Sequence, residues 1–236
     1  IYFYFKQIFS YVYLIIYYND LKRKISNVLS TSDRIFDFRF RYSYASASLK
    51  YFEIIKLIFK NNFNYFIECG SGRSTLVIDH FCSLKKINFL SFEENKKYYT
   101  QVLEQIENKK NLNLVNVEKI NNENKIYVNY LNIREYLPNN IDIFYIDGPV
   151  IDNKQESKNK YICNDIFVLL KHEIFPPLIV IDGRYDTVEK LFMNKYIKNN
   201  YNFHPNFFLS LYMNYKIPKK LLFHSYFVKK NLNINI

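Results

Sequence analysis

Six residues between 65 and 75 have the types and spacing to hold a charged small molecule: Glu68, Gly70, Ser71, Gly72, Ser74 and Thr75, in the stretch YFIECGSGRST. A short apolar run ends in an acid, two close glycines follow, and two hydroxyl residues stand where a helix would begin. The glycines let the backbone turn sharply and approach a ligand, and the helix amino end offers N–H groups. This order suits a nucleoside-bearing cofactor at the carboxyl edge of a parallel sheet. Further acids close later apolar runs: Glu93 in SFEEN, Asp147 in IDIFYIDGP and Asp182 in LIVID. Acids recur too regularly at these run ends for chance.

The elements that must position these residues follow from periodicity. A helix is predicted over 46–60, where SASLKYFEIIKLIFK has helical spacing and a serine cap. A strand at 65–68 precedes a helix from Ser74 to Cys82. A second strand, INFLSF, leads through Glu93 into the helix NKKYYTQVLEQIENKK. LNLVNV is a third strand, with IYVNYL in or beside it. IDIFYID (141–147) and LIVID (178–182) read as buried strands, separated by a helix YICNDIFVLLKHEIF. A single helix DTVEKLFMNKYIKN and two terminal strands, FFLSLYM and LLFHSYFVKK, complete the chain. Apolar strands alternating with helices predict an α/β three-layer sandwich. Its sheet is mostly parallel and seven-stranded, with an antiparallel C-terminal hairpin at one edge. Residues 46–236 form this Rossmann-like domain, and 1–45 form an aromatic-rich helical extension.

Composition narrows the class. Of 236 residues, 49% are hydrophobic, which argues against disorder. The 23 Tyr and 22 Phe, with no Trp, come with many Ile, Asn and Lys. That bias follows AT-rich codons, as expected of a low-GC genome, better than an aromatic ligand site. The net charge of +11 could favour phosphate-rich or anionic partners, but the lysines are scattered along the chain, and a nucleic-acid partner is not expected. Cys69, Cys82 and Cys163 form no disulfide framework, and a cytoplasmic location follows. Cys69 reads as a small residue filling a tight turn rather than a nucleophile. Residues 1–18 are apolar and run into NDLKRK, which leaves two readings: a helix covering the core, or peripheral contact with a membrane. His80, His172, His204 and His224 have no ligand spacing.

In this order the chain resembles the class I S-adenosylmethionine-dependent methyltransferases, over roughly residues 45–230. In ECGSGRST the acid precedes the first glycine by two residues, and Thr75 takes the place of the third glycine of a dinucleotide loop. The resemblance implies S-adenosylmethionine as cofactor, with contacts from Glu68, Gly70, Ser71, Gly72, Ser74, Thr75, Glu93 and Asp147. Glu68, Gly70 and Gly72 would hold its methionine part, and Glu93 its ribose hydroxyls. Glu93 also suits a helix amino end as a plain surface acid, and Glu94 competes for its role. The resemblance places Asp147 on the floor of the substrate pocket, as the catalytic residue. Catechol-type members bind a divalent cation through acids after strands four and five. Asp147 and Asp182 match those two, but Gly183 stands where the third oxygen ligand would be, and a metal is not favoured. Asp182 reads equally well as a helix cap.

The function implied is methyl transfer to a small-molecule or saccharide acceptor, as O-methylation. The alternatives are a NAD(P)-binding oxidoreductase on the same kind of sheet, or a non-catalytic, membrane-associated module. Arg73 has two readings, a partner for an anion or a solvated loop residue. Arg39 and Arg41 lie in a segment that often covers the cofactor in this superfamily. Acceptor specificity is expected from residues 20–45, the polar insert VIDNKQESKNK and the terminal hairpin.

Overall fold

A computed structural model describes residues 45–122, 125–149, 161–206 and 224–236. The N-terminal extension, the polar insert and FFLSLYM lie outside these residues, so the expectations placed on them are not addressed. The chain divides into two compact units, residues 1–54 and 55–236.

The strands are β1 (Tyr65–Cys69), β2 (Asn88–Glu93), β3 (Leu112–Leu114), β4 (Val117–Asn122), β5 (Lys125–Tyr130), β6 (Ile143–Ile146), β7 (Tyr161–Cys163), β8 (Leu178–Ile181), β9 (Tyr201–His204) and β10 (Ser225–Lys229). Helices α1 (Ala45–Lys60), α2 (Arg73–Lys85), α3 (Lys96–Leu103), α4 (Ile133–Tyr136), α5 (Asp165–Lys171), α6 (Tyr185–Met193) and α7 (Lys195–Asn200) connect them. Seven strands make the main sheet in the order β3-β2-β1-β6-β8-β10-β9. β10 is antiparallel to both β8 and β9, and the remaining pairs are parallel. The expected α/β sandwich, with its antiparallel C-terminal strand pair, is therefore the observed fold.

Alternation along each strand sends side chains to two faces. One face carries Ile67, Cys69, Phe92, Phe144, Ile146, Ile179, Ile181 and Phe227, packed on Ile166, Leu169, Val188, Leu191 and Ile197 from α5, α6 and α7. The other face carries Leu112, which packs with Val102 of α3 and Leu76 of α2. Phe59 of α1 meets Phe81 of α2 edge to face at 5.7 Å. All four residues of β6 and of β8 are buried, which is why these runs lack polar alternation.

The structure corrects several boundaries. IYVNYL does not join the main sheet: β5 pairs with β4 and β7 in a separate three-stranded sheet. Tyr161–Cys163 is strand β7 rather than the start of a helix, because β5 offers a partner edge. There Asn164 N–H donates to Val128 O at 2.7 Å and Cys163 N–H to Thr187 Oγ1 at 3.0 Å. The helix expected over 186–199 is two, since Asn194 leaves helical geometry (ψ 124°) and its side chain caps α7 through Ile197 N–H at 3.1 Å. Among the described residues β9, at Tyr201–His204, is the strand before β10, and β10 lies between it and β8 in the sheet.

Candidate functional site

The strand order reverses between β1 and β6. From β1 the chain winds outward through β2 to β3, then crosses back to β6. Ligands of open α/β sheets sit beyond the strand carboxyl ends at such a switch point. Register shows which residues gather there. Ser91, Glu68, Tyr145, Val180 and Tyr226 are successive partners across five strands. Two residues further toward that edge, the corresponding row is Glu93, Gly70, Asp147, Asp182 and His224. The ladder carries on into this row, with Gly70 N–H to Phe92 O, Asp147 N–H to Cys69 O and Asp182 N–H to Ile146 O, each at 2.9 Å. Three of the four acids that sequence spacing singled out, Glu93, Asp147 and Asp182, thus share one edge and one register row, and Glu68 lies two residues before it on β1.

Glu68 lies beneath this row, with no exposed surface. Ser74 Oγ donates to its Oε1 and Ser91 Oγ to its Oε2, both at 2.7 Å. Burial pushes its pKa up to about 8, with a smaller push from Asp147, against the hydroxyls of Thr75, Ser74 and Ser91. The side chain ties β1, β2 and the start of α2 together.

Glu93 does the same for the loop above. Its Oε2 accepts from Ser71 N–H at 2.9 Å and Ser71 Oγ–H at 2.7 Å, and its Oε1 from Asn95 N–H at 2.8 Å. A carboxylate has about four lone-pair positions. Three are used, and the remaining one is on Oε1. Burial, then the neighbouring Glu94, raises Glu93 to about 7. Glu94 accepts from the buried Tyr130 hydroxyl at 2.9 Å, which fastens the second sheet to the end of β2.

The two loop glycines differ. Gly70 has φ +92°, and a Cβ there would overlap the backbone N and Cα of Gly148. The loops after β1 and β6 therefore pack glycine on glycine. Gly72 is extended (φ 179°), and among the described residues a Cβ there would meet nothing within 4 Å. Thr75 Oγ1 accepts from Gly72 N–H at 2.8 Å, and α2 has no acid in its first turn. The amino end of α2 is therefore set beside an open cradle that suits an anionic or polar group.

Cys69 is fully buried, and burial holds its thiol well above the ordinary range, as suits a turn-filling residue. His80 pairs with Glu107 at 2.6 Å, away from this edge. His224 is buried, with Nε2 3.4 Å from the Tyr145 hydroxyl. His204 ends β9 opposite Tyr226. Asp147 and Asp182 end adjacent strands, yet no group of three or more His, Cys, Asp or Glu among the described residues could hold a metal ion.

Three residues of this region escaped sequence reasoning. Ser91 is the buried partner of Glu68, and only strand pairing brings it there. Asp165 is fully buried, accepts Tyr130 N–H at 2.8 Å and the Cys163 thiol at 3.3 Å, and is raised by burial to about 7. Arg184 donates to Pro149 O at 2.9 Å and to Asp147 O. A basic residue two positions after Asp182 was its only signal.

Among the described residues, no helix is long and apolar enough to cross a membrane. No family model matches the sequence, and no curated protein matches it. Two solved structures of the plantazolicin methyltransferase BpumL are similar in fold. The complex with a triazolic desmethylPZN analog and SAH is 13% identical, with a TM-score of 0.39, over 94% of this chain and 96% of that one. The complex with a pentazolic analog and SAH is 12% identical, with a TM-score of 0.35, over the same shares. Superpositions this loose carry no residue correspondence.

Proposed function

We propose that the protein is an S-adenosylmethionine-dependent methyltransferase acting on a small-molecule or saccharide hydroxyl. The observation that carries this reading is the Glu93 carboxylate, fastened to the glycine loop through Ser71 at the switch point, with an acceptor position left on Oε1. A ribose diol needs such an acceptor, and displacing the Ser71 hydroxyl would free a second position. Gly72 leaves room for close approach, and the α2 amino end lies beside that room. The residues present thus fit the cofactor. Bound there, it would supply an electrophilic sulfonium methyl group.

The chain's own residues would then do the following. Glu93 would hold the ribose, and Glu68 would keep the loop in shape through Ser74 and Ser91. Gly70 and Gly148 would bring the β1 and β6 loops together. Asp147, one strand from Gly70, would orient the acceptor hydroxyl and take its proton. Methyl transfer is an in-line displacement, in which alignment supplies most of the acceleration.

Isothermal titration with adenosylmethionine and with its demethylated product, SAH, tests this directly. Binding by the folded protein is expected, and no heat with either ligand would overturn the reading. Glu93→Ala should weaken SAH binding by about 10- to 100-fold, since hydrogen bonds to a charged acceptor are lost. An unchanged affinity would place the ribose elsewhere.

A further inference from the structure

Arg184 is a buried charged residue of this region that the proposed mechanism leaves unused. It is 3% exposed, at the end of the turn that follows β8 and directly before α6. Its guanidinium points back over the neighbouring strand end, donating to the carbonyl oxygens of Pro149 and Asp147. Both partners are neutral backbone atoms. Among the described residues Arg184 forms no ion pair: Asp186, in the first turn of α6, is paired with Lys125 instead.

A guanidinium is always charged and has five N–H donors in a planar fork. Two carbonyl bonds leave donors of the fork unused, and neither of these partners carries a charge. A buried charge without a counter-ion is costly, and proteins normally pair it. Among the described residues the cation is held in place, beside Asp147 and Gly148, with no ion-pair partner. A ligand that brings one would complete the site. Fork geometry matches two oxygens of a carboxylate or phosphate.

Position says which ligand. Glu93 ends β2, and Arg184 follows β8, three strand spacings away across β1 and β6. At roughly 4.8 Å per spacing this is about 14 Å. The ribose end and Arg184 thus lie on opposite sides of the Asp147 strand. We propose that Arg184 is the receptor for an oxyanion, a carboxylate or a phosphate, borne by the methyl acceptor. The oxyanion would dock the acceptor on the β8 side of Asp147. The acceptor half of this assignment rests on the methyltransferase reading, and the anion half does not.

The test is thermal unfolding of the full chain without cofactor, in phosphate, acetate and chloride at equal ionic strength. Phosphate or acetate should raise Tm above chloride by about 2–4 °C once well above its dissociation constant. A rise with phosphate alone would point to a phosphorylated acceptor, and with acetate alone to a carboxylated one. Arg184→Met and Arg184→Lys should both abolish the rise, the second because an ammonium lacks the fork. Both should bind SAH within twofold of the wild type. If Arg184→Met does not fold, Arg184→Lys carries the comparison. No anion-specific rise in the wild type, or a rise that persists in the variants, would overturn the proposal. Loss of SAH binding in folded Arg184→Lys would assign the residue to the cofactor and overturn the acceptor half. Failure of the wild type to bind SAH would sink the methyltransferase reading separately and leave the anion result readable.

Discussion

At Gly70 the backbone turns with φ +92° and lies against Gly148, whereas Gly72, two residues on, is extended with open space where a side chain would be. The first glycine is required by the fold, and the second is free to serve a ligand. Gly70→Ala incurs a positive-φ cost of about 1–2 kcal/mol, besides the overlap with Gly148. It should lower Tm by about 5 °C or more. Gly72→Ala should unfold within about 2 °C of the wild type, as substitutions without steric conflict do. Its SAH affinity should nevertheless fall about tenfold, because the new methyl group narrows the cradle. Thermal unfolding and calorimetry on both variants check this. Equal stability losses would show that Gly72 too is structural. The glycines themselves were legible in the sequence, but their different roles depend on Gly148, which is far away in the chain.

Two helices of this chain end against local propensity. After α2, Lys86 has φ +58°, and Ile87 N–H bonds back to Cys82 O at 2.8 Å. After α5, Glu173 has φ +60°, with Ile174 N–H to Leu169 O at 3.0 Å. Both are left-handed helix ends in which glycine is the residue of least strain. Glu173→Gly should therefore raise stability by about 0.5–1 kcal/mol, offset in part by unfolded-state entropy. Chemical denaturation reads this, and a lowered midpoint would contradict it. At the break between α6 and α7 the sign is opposite. Asn194 caps α7, so Asn194→Ala should cost about 1 kcal/mol. Apolar periodicity runs through Asn194 unbroken, which is why one helix was expected. The break comes from a side-chain oxygen competing for a backbone N–H, which periodicity does not register. β7 escaped in a similar way, because Tyr161–Cys163 is apolar enough for either state and the edge of β5 decides.

Among the described residues four carboxyl groups are buried and raised: Glu68 to about 8, Glu93 and Asp165 each to about 7, and Asp79 above its ordinary value. Burial is the main cause in each case. An unfolded chain titrates these groups near 4. Between about pH 4 and 8 the native state thus binds more protons than the unfolded one, and stability falls as pH rises through that window. The contribution is fully present below about 4 and lost above about 8. Self-repulsion of a chain with net charge +11 works the other way in acid, so the comparison belongs between variants. Glu68→Gln, a neutral isostere of the protonated acid, should flatten the decline in Tm between pH 5.5 and 8.5, on the order of one group's share. An unaltered slope would mean that Glu68 is ionised in the native state.

Patterns local in the chain were legible from the sequence. The strand–acid–glycine–helix order, the four acids at apolar run ends and the sandwich class all depend on neighbours within a few residues. Register, burial and pairing belong to the tertiary structure. It set Glu93, Gly70, Asp147, Asp182 and His224 in one row, and it placed Ser91 under Glu68. It folded β4, β5 and β7 into a sheet of their own, and it buried the Arg184 charge beside Asp147, bonded to the carbonyls of Pro149 and Asp147. The physical reason is the same throughout. Whether a polar group is satisfied, strained or left wanting a partner depends on atoms that strand pairing brings from elsewhere in the chain, and no local pattern encodes them.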